Sequence, residues 1–242
     1  MIKITIHPGH TAETGGAPGG HGIFNESDVN REIVSALSKY LDGQSSVQCV
    51  TQQVDTADNA RDCLKKLCAM ANNTNADFNI SVHTNIGRKD RSGDGKLGGC
   101  EIFIYNNAND KIKLASNILS NLQNIGFPLR SDATSPREGI KINPGFYILK
   151  HTTKPTLLIE VFFLDDKDDI NLYKSIGADG IAKAIGDGII NYAKGIIADD
   201  NNDQAGSDSG EIDNSTNDFI SALSNIKMLA NNIVDIVNSS TI

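Results

Sequence analysis

The stretch MIKITIHPGHTAETGGAPGGHGIFNE, residues 1–26, decides the fold. Its apolar run Ile2–Ile6 is rich in β-branched residues, which predicts a strand. The strand ends in the turn His7-Pro8-Gly9-His10, a glycine-rich loop follows, and Asn25-Glu26 opens a segment with helical periodicity. Histidines on a turn after a strand, together with a carboxylate at the next helix start, indicate half of a metal site.

Strands and helices alternate along the rest of residues 1–197. Strands are predicted over Ile2–Ile6, Val47–Val50, Phe78–His83, Cys100–Tyr105, Phe146–Leu149 and Thr156–Phe163, and helices over Asn25–Leu41, Ala57–Ala71, Lys111–Ile125, Asp168–Lys174 and Ala178–Ala193. The near-continuous apolar run of residues 156–163 is typical of a central strand that is covered on both faces. The pattern therefore predicts a single α/β domain over residues 1–197, with a mostly parallel, twisted sheet covered by helices.

The composition changes after Ile197. Residues 198–216 are acidic and rich in Asp, Asn, Ser and Gly, which predicts a flexible linker. In residues 217–242, apolar side chains recur with helical a/d spacing, at Phe219, Leu223, Ile226, Ala230, Ile233 and Val237. This pattern predicts a short C-terminal helix, and it leaves open whether the helix docks on the main domain or mediates self-association.

The composition excludes some classes of function. The net charge of −8 argues against a nucleic-acid partner, since such proteins usually present a basic face. No apolar run approaches the roughly twenty residues of a membrane span, so we expect no membrane insertion. The first residues lack the apolar stretch of a secretion signal, and we expect synthesis in the cytoplasm without a signal peptide.

The four cysteines predict free thiols. Cys49, Cys63, Cys68 and Cys100 lack the close pairing that holds a structural zinc, and each lies in apolar surroundings. Buried thiols of this kind favour folding in a reducing compartment.

Three polar side chains are predicted to meet at one edge of the sheet. His10 follows the first strand, His83 ends the third, and Glu26 starts the first helix. Sites in open α/β sheets form beyond the carboxyl ends of the strands. Two histidines and one glutamate suit a catalytic zinc with one open position. The spacing alone leaves His7 as an alternative to His10.

Glu160 is a further candidate because it lies inside the most hydrophobic strand. A carboxylate there is costly unless it is paired, bound to metal or used in chemistry. As a general base it would take a proton from a water that attacks a carbonyl carbon, and deliver that proton to the leaving nitrogen. The alternative is a salt bridge to a core arginine or lysine. The whole set predicts metal-assisted amide hydrolysis.

Four short motifs follow one another in a characteristic order. They are Pro8-Gly9-His10, Asn25-Glu26, Ser81-Val82-His83-Thr84-Asn85 and Ile159-Glu160-Val161-Phe162-Phe163. In this order the chain resembles the zinc-dependent N-acetylmuramoyl-L-alanine amidases of the Amidase_3 family, found in bacterial autolysins and phage endolysins, over about residues 1–194. The resemblance implies that His10, Glu26 and His83 bind Zn²⁺, with His10 selected over His7. It also implies that Glu160 is the catalytic glutamate.

The resemblance carries further expectations about function. It implies hydrolysis of the amide between N-acetylmuramic acid and L-alanine in peptidoglycan, with lysis of bacterial cell walls. The biological role would be that of a phage or prophage endolysin that reaches the wall through a holin, and a host enzyme released at mother-cell lysis would look the same. The alternatives are a zinc peptidase or carboxypeptidase acting on another peptidoglycan bond, and a wall-binding module that no longer catalyses.

The chain also departs from the family pattern at three places. The family usually has Asp before the Pro-Gly-His sequence, where this chain has His7. The loop Thr11–Gly22 lacks the family's usual glycine directly after the histidine, and the segment Gly87–Leu97 is longer than in a minimal family member. All three departures concern the surroundings of the predicted site, and we expect His7 to be a supporting or groove residue.

Overall fold

The computed structural model describes residues 1–132 and 135–205, with six strands and five helices. In chain order these are β1 Ile2–Pro8, α1 Glu26–Leu41, β2 Val47–Thr51, α2 Ala60–Thr74, β3 Phe78–Asn85, β4 Glu101–Ile104, α3 Asn109–Asn124, β5 Ile140–Ile142, α4 Tyr147–His151, β6 Thr156–Phe163 and α5 Lys167–Ala205. Helix α5 is interrupted at Gly177, whose φ of 74° is outside the helical range. The predicted helices Asp168–Lys174 and Ala178–Ala193 are the two parts of α5 on either side of this break.

The six strands form one sheet in the order β2-β1-β3-β6-β4-β5. All neighbouring strands are parallel except β4 and β6, which are antiparallel. The prediction of an α/β fold with a mostly parallel sheet is therefore confirmed. Strand β6 lies inside the sheet between β3 and β4, as its unbroken apolar sequence predicts.

The two faces of the sheet differ because successive side chains of a strand point to opposite sides. One face carries the larger core, in which Ile6, Val82 and Ile159 pack with α1, α3 and α5. On the other face Leu158 packs with α2 and α4 in a smaller core. Along each strand, polar residues alternate with the residues of the larger core and therefore point to this second face. They are Thr5, His7, Asn79, Ser81, His83, Glu101 and Glu160. The alternation in the sequence thus places these polar residues on the face that is covered by α2 and α4.

The prediction of a strand at Phe146–Leu149 is wrong, since α4 lies there. A run of four apolar residues does not distinguish a strand from a buried helical turn. Ile148 and Leu149 are buried against the apolar residues of α2. The strand at this end of the sheet is instead β5, whose three residues give too short a pattern to detect.

The C-terminal predictions fall mostly outside the described residues. Helix α5 continues past Ala193 to Ala205, so residues 198–205 of the predicted linker are helical. The rest of the linker and the predicted helix of residues 217–242 lie beyond the part that the structure describes. Across residues 1–132 and 135–205, no helix combines the length and the apolarity that a membrane span needs. The four cysteines are free thiols as predicted, and all except the partly exposed Cys49 are buried.

Candidate metal centre

The turn after β1 places His10 beside the end of β3. His10 adopts a left-handed backbone conformation with φ of 69°. Gly9 leaves no room for a side chain, because a Cβ there would overlap the imidazole of His83. Arg31 on α1 donates hydrogen bonds to the carbonyls of Thr11 at 2.8 Å and His10 at 3.4 Å. The glycine of the Pro-Gly-His sequence is therefore required by the close approach of His83.

Glu26 begins α1 and is 6% exposed. Its Oε1 lies 3.2 Å from Nε2 of His10 and 3.0 Å from Nδ1 of His83. Its Oε2 accepts the N–H of Gly20 at 2.7 Å. Burial raises the pKa of the Glu26 carboxyl, but hydrogen bonds from His10 and His83 outweigh this effect and lower the pKa well below its ordinary value. Glu26 is therefore an ionised carboxylate between two imidazoles.

His83 lies near the end of β3, and its ring packs edge-on against that of His10 with 5.0 Å between centroids. Its Nε2 lies 3.1 Å from the hydroxyl of Ser81, so the hydroxyl orients the ring and leaves Nδ1 facing Glu26. One ligand atom from each of His10, Glu26 and His83 lies within 4.8 Å of the others. Two imidazoles and a buried carboxylate at this separation fit a zinc ion.

His7 lies near His83 but is not part of the group formed by His10, Glu26 and His83. It is fully buried, with Nδ1 3.3 Å from the carbonyl of Pro8 and Nε2 without a hydrogen-bond partner. Burial and, to a smaller extent, the nearby His83 lower the pKa of His7 to about 4, although the contact with Pro8 opposes the shift. The structure thus brings His10, and not His7, to Glu26 and His83, and the ligand assignment itself stays a prediction.

The two remaining histidines are peripheral. The Nδ1 of His21 is 3.1 Å from Oδ1 of Asn25 at the surface. The exposed ring of His151 stacks on Tyr147 at 4.0 Å. Neither ring joins the group of predicted ligands.

Glu160 on β6 stands directly opposite His83 on β3. The side chain retains some exposure, but its Oε2 is enclosed and has no hydrogen-bond partner. Burial raises the pKa of Glu160 well above its ordinary value, and the carboxylates of Glu26 and Glu101 add to the shift. Among the described residues Glu160 forms no salt bridge, so the alternative of a core ion pair is not what the structure shows.

These groups line one cavity of about 250 Å³. His10, Glu26, His83 and Glu160 form its polar side. Its apolar side is formed by Leu64, Ile86, Phe146, Tyr147, Ile148 and Leu158. A larger cavity of about 480 Å³ lies between α1 and α5, but none of the four predicted site residues lines it. The smaller cavity is therefore the candidate catalytic pocket.

Sequence reasoning missed Glu101, which stands opposite Glu160 on β4 and is 3% exposed. Lys141 places Nζ 2.5 Å from its Oε2, Arg130 places Nε 3.5 Å from its Oε1, and Asn85 donates to Oε1 at 2.9 Å. A lone carboxylate in an apolar strand is the signal that singles out Glu160, and it applies equally to Glu101. The two cations could not be found in the same way, because Lys141 lies on the undetected strand β5 and Arg130 lies in the loop that precedes this strand.

Known proteins are similar to this chain in sequence and in fold. A Bacillus subtilis germination-specific N-acetylmuramoyl-L-alanine amidase is 28% identical over 200 residues, which cover 78% of this chain and 78% of that protein. The N-acetylmuramoyl-L-alanine amidase LytC of Bacillus subtilis is also 28% identical, but the alignment covers only 35% of its length and 78% of this chain. The catalytic domain of the CD27L endolysin, which targets Clostridia difficile, superposes with a TM-score of 0.64 at 26% identity, covering 79% of this chain and 98% of that domain.

The sequence family described as N-acetylmuramoyl-L-alanine amidase, Amidase_3, matches residues 4–191. This range includes all four motifs, most of β1 and every element from α1 to the first part of α5. Because the match spans most of the chain and the fold gathers its motifs into one pocket, the chain belongs to the Amidase_3 family of N-acetylmuramoyl-L-alanine amidases.

Proposed function

We propose that the chain is a zinc-dependent hydrolase that cleaves the amide between the lactyl group of N-acetylmuramic acid and L-alanine in peptidoglycan. The observation that carries this proposal is the meeting of His10, Glu26 and His83 beside the unpartnered Glu160. Membership of the amidase family and the likeness to a germination-specific amidase support the choice of bond.

The ligands would be Nε2 of His10, a carboxylate oxygen of Glu26 and Nδ1 of His83. When bound, zinc supplies Lewis-acid polarisation of the scissile carbonyl and lowers the pKa of a water molecule. The chain prepares this site in two ways. The N–H of Gly20 and the hydroxyl of Ser81 orient Glu26 and His83, and the ionised state of Glu26 is stable before any ion arrives.

Glu160 would act as the general base. Its enclosed oxygen has no competing donor, so it is free to accept the proton of the attacking water and deliver it to the nitrogen of the leaving L-alanine. Its raised pKa makes it a stronger base than an ordinary carboxylate, which favours uptake of the proton from the water. The rings of Phe146 and Tyr147 line the same pocket.

The test of the proposed bond is an analysis of products from purified cell walls. We expect new N-terminal alanine without new reducing sugar ends, and we expect Glu160→Gln to release neither. New reducing ends would contradict the amidase assignment. New N-termini other than alanine would favour the peptidase alternative.

A binding module without catalysis is the rival from another class. It would leave wall suspensions turbid while still sedimenting with the walls. The unpartnered Glu160 disfavours this rival, because a carboxylate that has lost its function has no reason to remain enclosed and unpaired. A fall in turbidity with the wild type, and none with Glu160→Gln, would exclude it.

The proposal extends to biology in two respects. We propose an endolysin role, in which the chain reaches the wall after release from the cytoplasm, on the basis of its likeness to an endolysin catalytic domain.

The a/d pattern of residues 217–242 supports self-association. A truncation after Ile197 that stays dimeric in sedimentation analysis would contradict a dimer formed through this segment.

A further inference from the structure

A loop beside the catalytic pocket presents two cations, Lys89 and Arg91, which lie in the segment Gly87–Leu97. Both side chains are exposed. Among the side chains of residues 1–132 and 135–197, no carboxylate oxygen lies within 4.0 Å of either cation. Two unpaired cations side by side are notable in a chain of net charge −8.

The carboxylate of Asp165 fixes the backbone of this loop. It accepts the N–H groups of Gly87 at 3.0 Å, Arg88 at 3.2 Å and Lys89 at 2.8 Å. Burial raises the pKa of Asp165, but these hydrogen bonds outweigh that effect and lower the pKa below its ordinary value. The negative charge of Asp165 is therefore engaged by the backbone of the loop that carries the two cations.

The loop is also attached to the start of α5. Arg88 donates from Nε to Asp166 at 3.1 Å, and Asp166 is fully buried. The carbonyl of Asp90 accepts the N–H of Lys167 at 2.7 Å. With both ends of this short stretch held, Lys89 and Arg91 project from a defined backbone, which reduces the entropic cost of binding a ligand between them.

Lys89 and Arg91 line a groove of about 520 Å³, together with Ile86, Ser92 and Asp165. Ile86 lines the catalytic pocket as well, so the groove and the pocket adjoin along this side chain. A substrate held at Glu160 can therefore extend over Ile86 into the groove. The chemistry there favours an anion, because an arginine and a lysine supply several N–H donors and their own positive charge.

We propose that this groove is a subsite for the free α-carboxylate of D-glutamate, the second residue of the peptidoglycan stem peptide. The inference rests on the proposed function, which places the amide of L-alanine at the pocket. The next residue lies about 3.5 Å further along an extended chain, which is the right order of distance for a neighbouring groove. Because D-glutamate is joined to the stem through its γ-carboxyl, its α-carboxylate is free to pair with Lys89 and Arg91. The enzyme then prefers stems with the free acid to stems that carry the α-amide.

Calorimetric titration of two product peptides tests the subsite without requiring bond cleavage. The peptides are L-Ala-γ-D-Glu-L-Lys-D-Ala and its counterpart with the D-glutamate α-carboxylate amidated, each titrated into the zinc-loaded full-length protein. Wild type should bind the free acid about tenfold more tightly, since two exposed ion pairs contribute roughly that much. The double variant Lys89→Gln/Arg91→Gln should lose this preference and leave binding of the amidated peptide unchanged.

Lys96→Gln is the matched control, because Lys96 is exposed in the same loop, pairs loosely with Asp94 at 4.0 Å and does not line the groove. It should retain the full preference. Equal binding of the two peptides by wild type, or equal loss of both in the double variant, would overturn the subsite. Release of N-terminal alanine from cell walls by wild type is scored separately, so a failed subsite and a failed amidase assignment give different results.

Discussion

Two glutamates stand opposite each other on neighbouring strands, Glu101 on β4 and Glu160 on β6, but the side chains that surround them differ. Glu101 is contacted by Lys141, Arg130 and Asn85. Glu160 has an enclosed oxygen with no partner and a pKa raised by burial. Both carboxylates face the same side of the sheet, so the difference arises from which side chains surround each one.

The comparison separates a structural carboxylate from a reactive one. A buried charge that is neutralised by cations and hydrogen-bonded contributes to the architecture of the pocket wall, and removing one partner is costly. A buried carboxylate left without donors keeps its basicity for a proton from outside the protein. The same strand pair therefore supplies both the rigid support and the reactive group.

Exchanging each carboxylate for its amide should separate the two roles most sharply. Glu160→Gln should lower kcat by about 10³-fold, because a general base contributes on that order. Glu101→Gln should lower kcat by less than about tenfold, since it touches no reacting atom and acts only through its neighbours. Initial rates of N-terminal alanine release measure both, and equal losses in the two variants would contradict the distinction.

Removing the closest cation of Glu101 should reduce stability rather than catalysis. Lys141→Met leaves the carboxylate enclosed with only Arg130 and Asn85, which should lower the free energy of unfolding by about 3–5 kcal/mol. Urea denaturation measures the change. Lys183→Met, which breaks an exposed pair with Asp187, is the control and should cost less than about 1 kcal/mol. Similar losses in the two variants would show that the Glu101 cluster is not a buried network.

His7 resembles Glu160 in having a buried side-chain atom without a hydrogen-bond partner, here a nitrogen. Its effect on stability should be smaller than that of Lys141. Its folded pKa of about 4 lies below the ordinary 6.5, so the unfolded chain binds a proton more readily between these values. The resulting stability is present above pH 6.5 and is lost as the pH falls towards 4, by at most about 3 kcal/mol. In the zinc-free protein, His7→Gln should reduce the change in the free energy of unfolding between pH 6.5 and pH 4. If the free energy of unfolding depends on pH in the same way in wild type and in His7→Gln, the result would contradict a buried, neutral imidazole at His7.

Arg130 should give the smallest effect, because its side chain is 32% exposed and lies 3.5 Å from Glu101. Its guanidinium also lies 4.6 Å from the ring centroid of Phe163 and donates to the carbonyl of Gly98 at 3.0 Å. Arg130→Gln should lower the free energy of unfolding by about 1 kcal/mol. A loss as large as that of Lys141→Met would show that both cations are equally enclosed.

Much of this architecture can be predicted from sequence because it depends on local patterns. The apolar strands and amphipathic helices specify the α/β order, and the placement of His10, Glu26 and His83 at strand and helix ends brings them to one sheet edge. Glu160 is conspicuous because a charge inside an apolar strand is costly. These signals require no knowledge of contacts between distant segments.

The features of the fold and of the site that the sequence did not predict depend on tertiary contacts. Strand β5 has three residues and pairs only because β4 lies beside it. Residues 147–149 become part of a helix because the buried side chains of Ile148 and Leu149 meet α2. The pairing of Glu101 with Lys141 joins positions 40 residues apart, and no spacing rule reveals it. The choice between His7 and His10 depends likewise on which turn residue approaches Glu26.

The central claim is that His10, Glu26 and His83 hold zinc while Glu160 acts beside it, and metal analysis of four purified proteins tests this most directly. Wild type, Glu160→Gln and the control His151→Ala should each contain about one zinc per chain, because Glu160 and the surface histidine are not ligands. His83→Ala should contain far less. Full zinc content in His83→Ala, or loss of zinc in Glu160→Gln, would contradict the account.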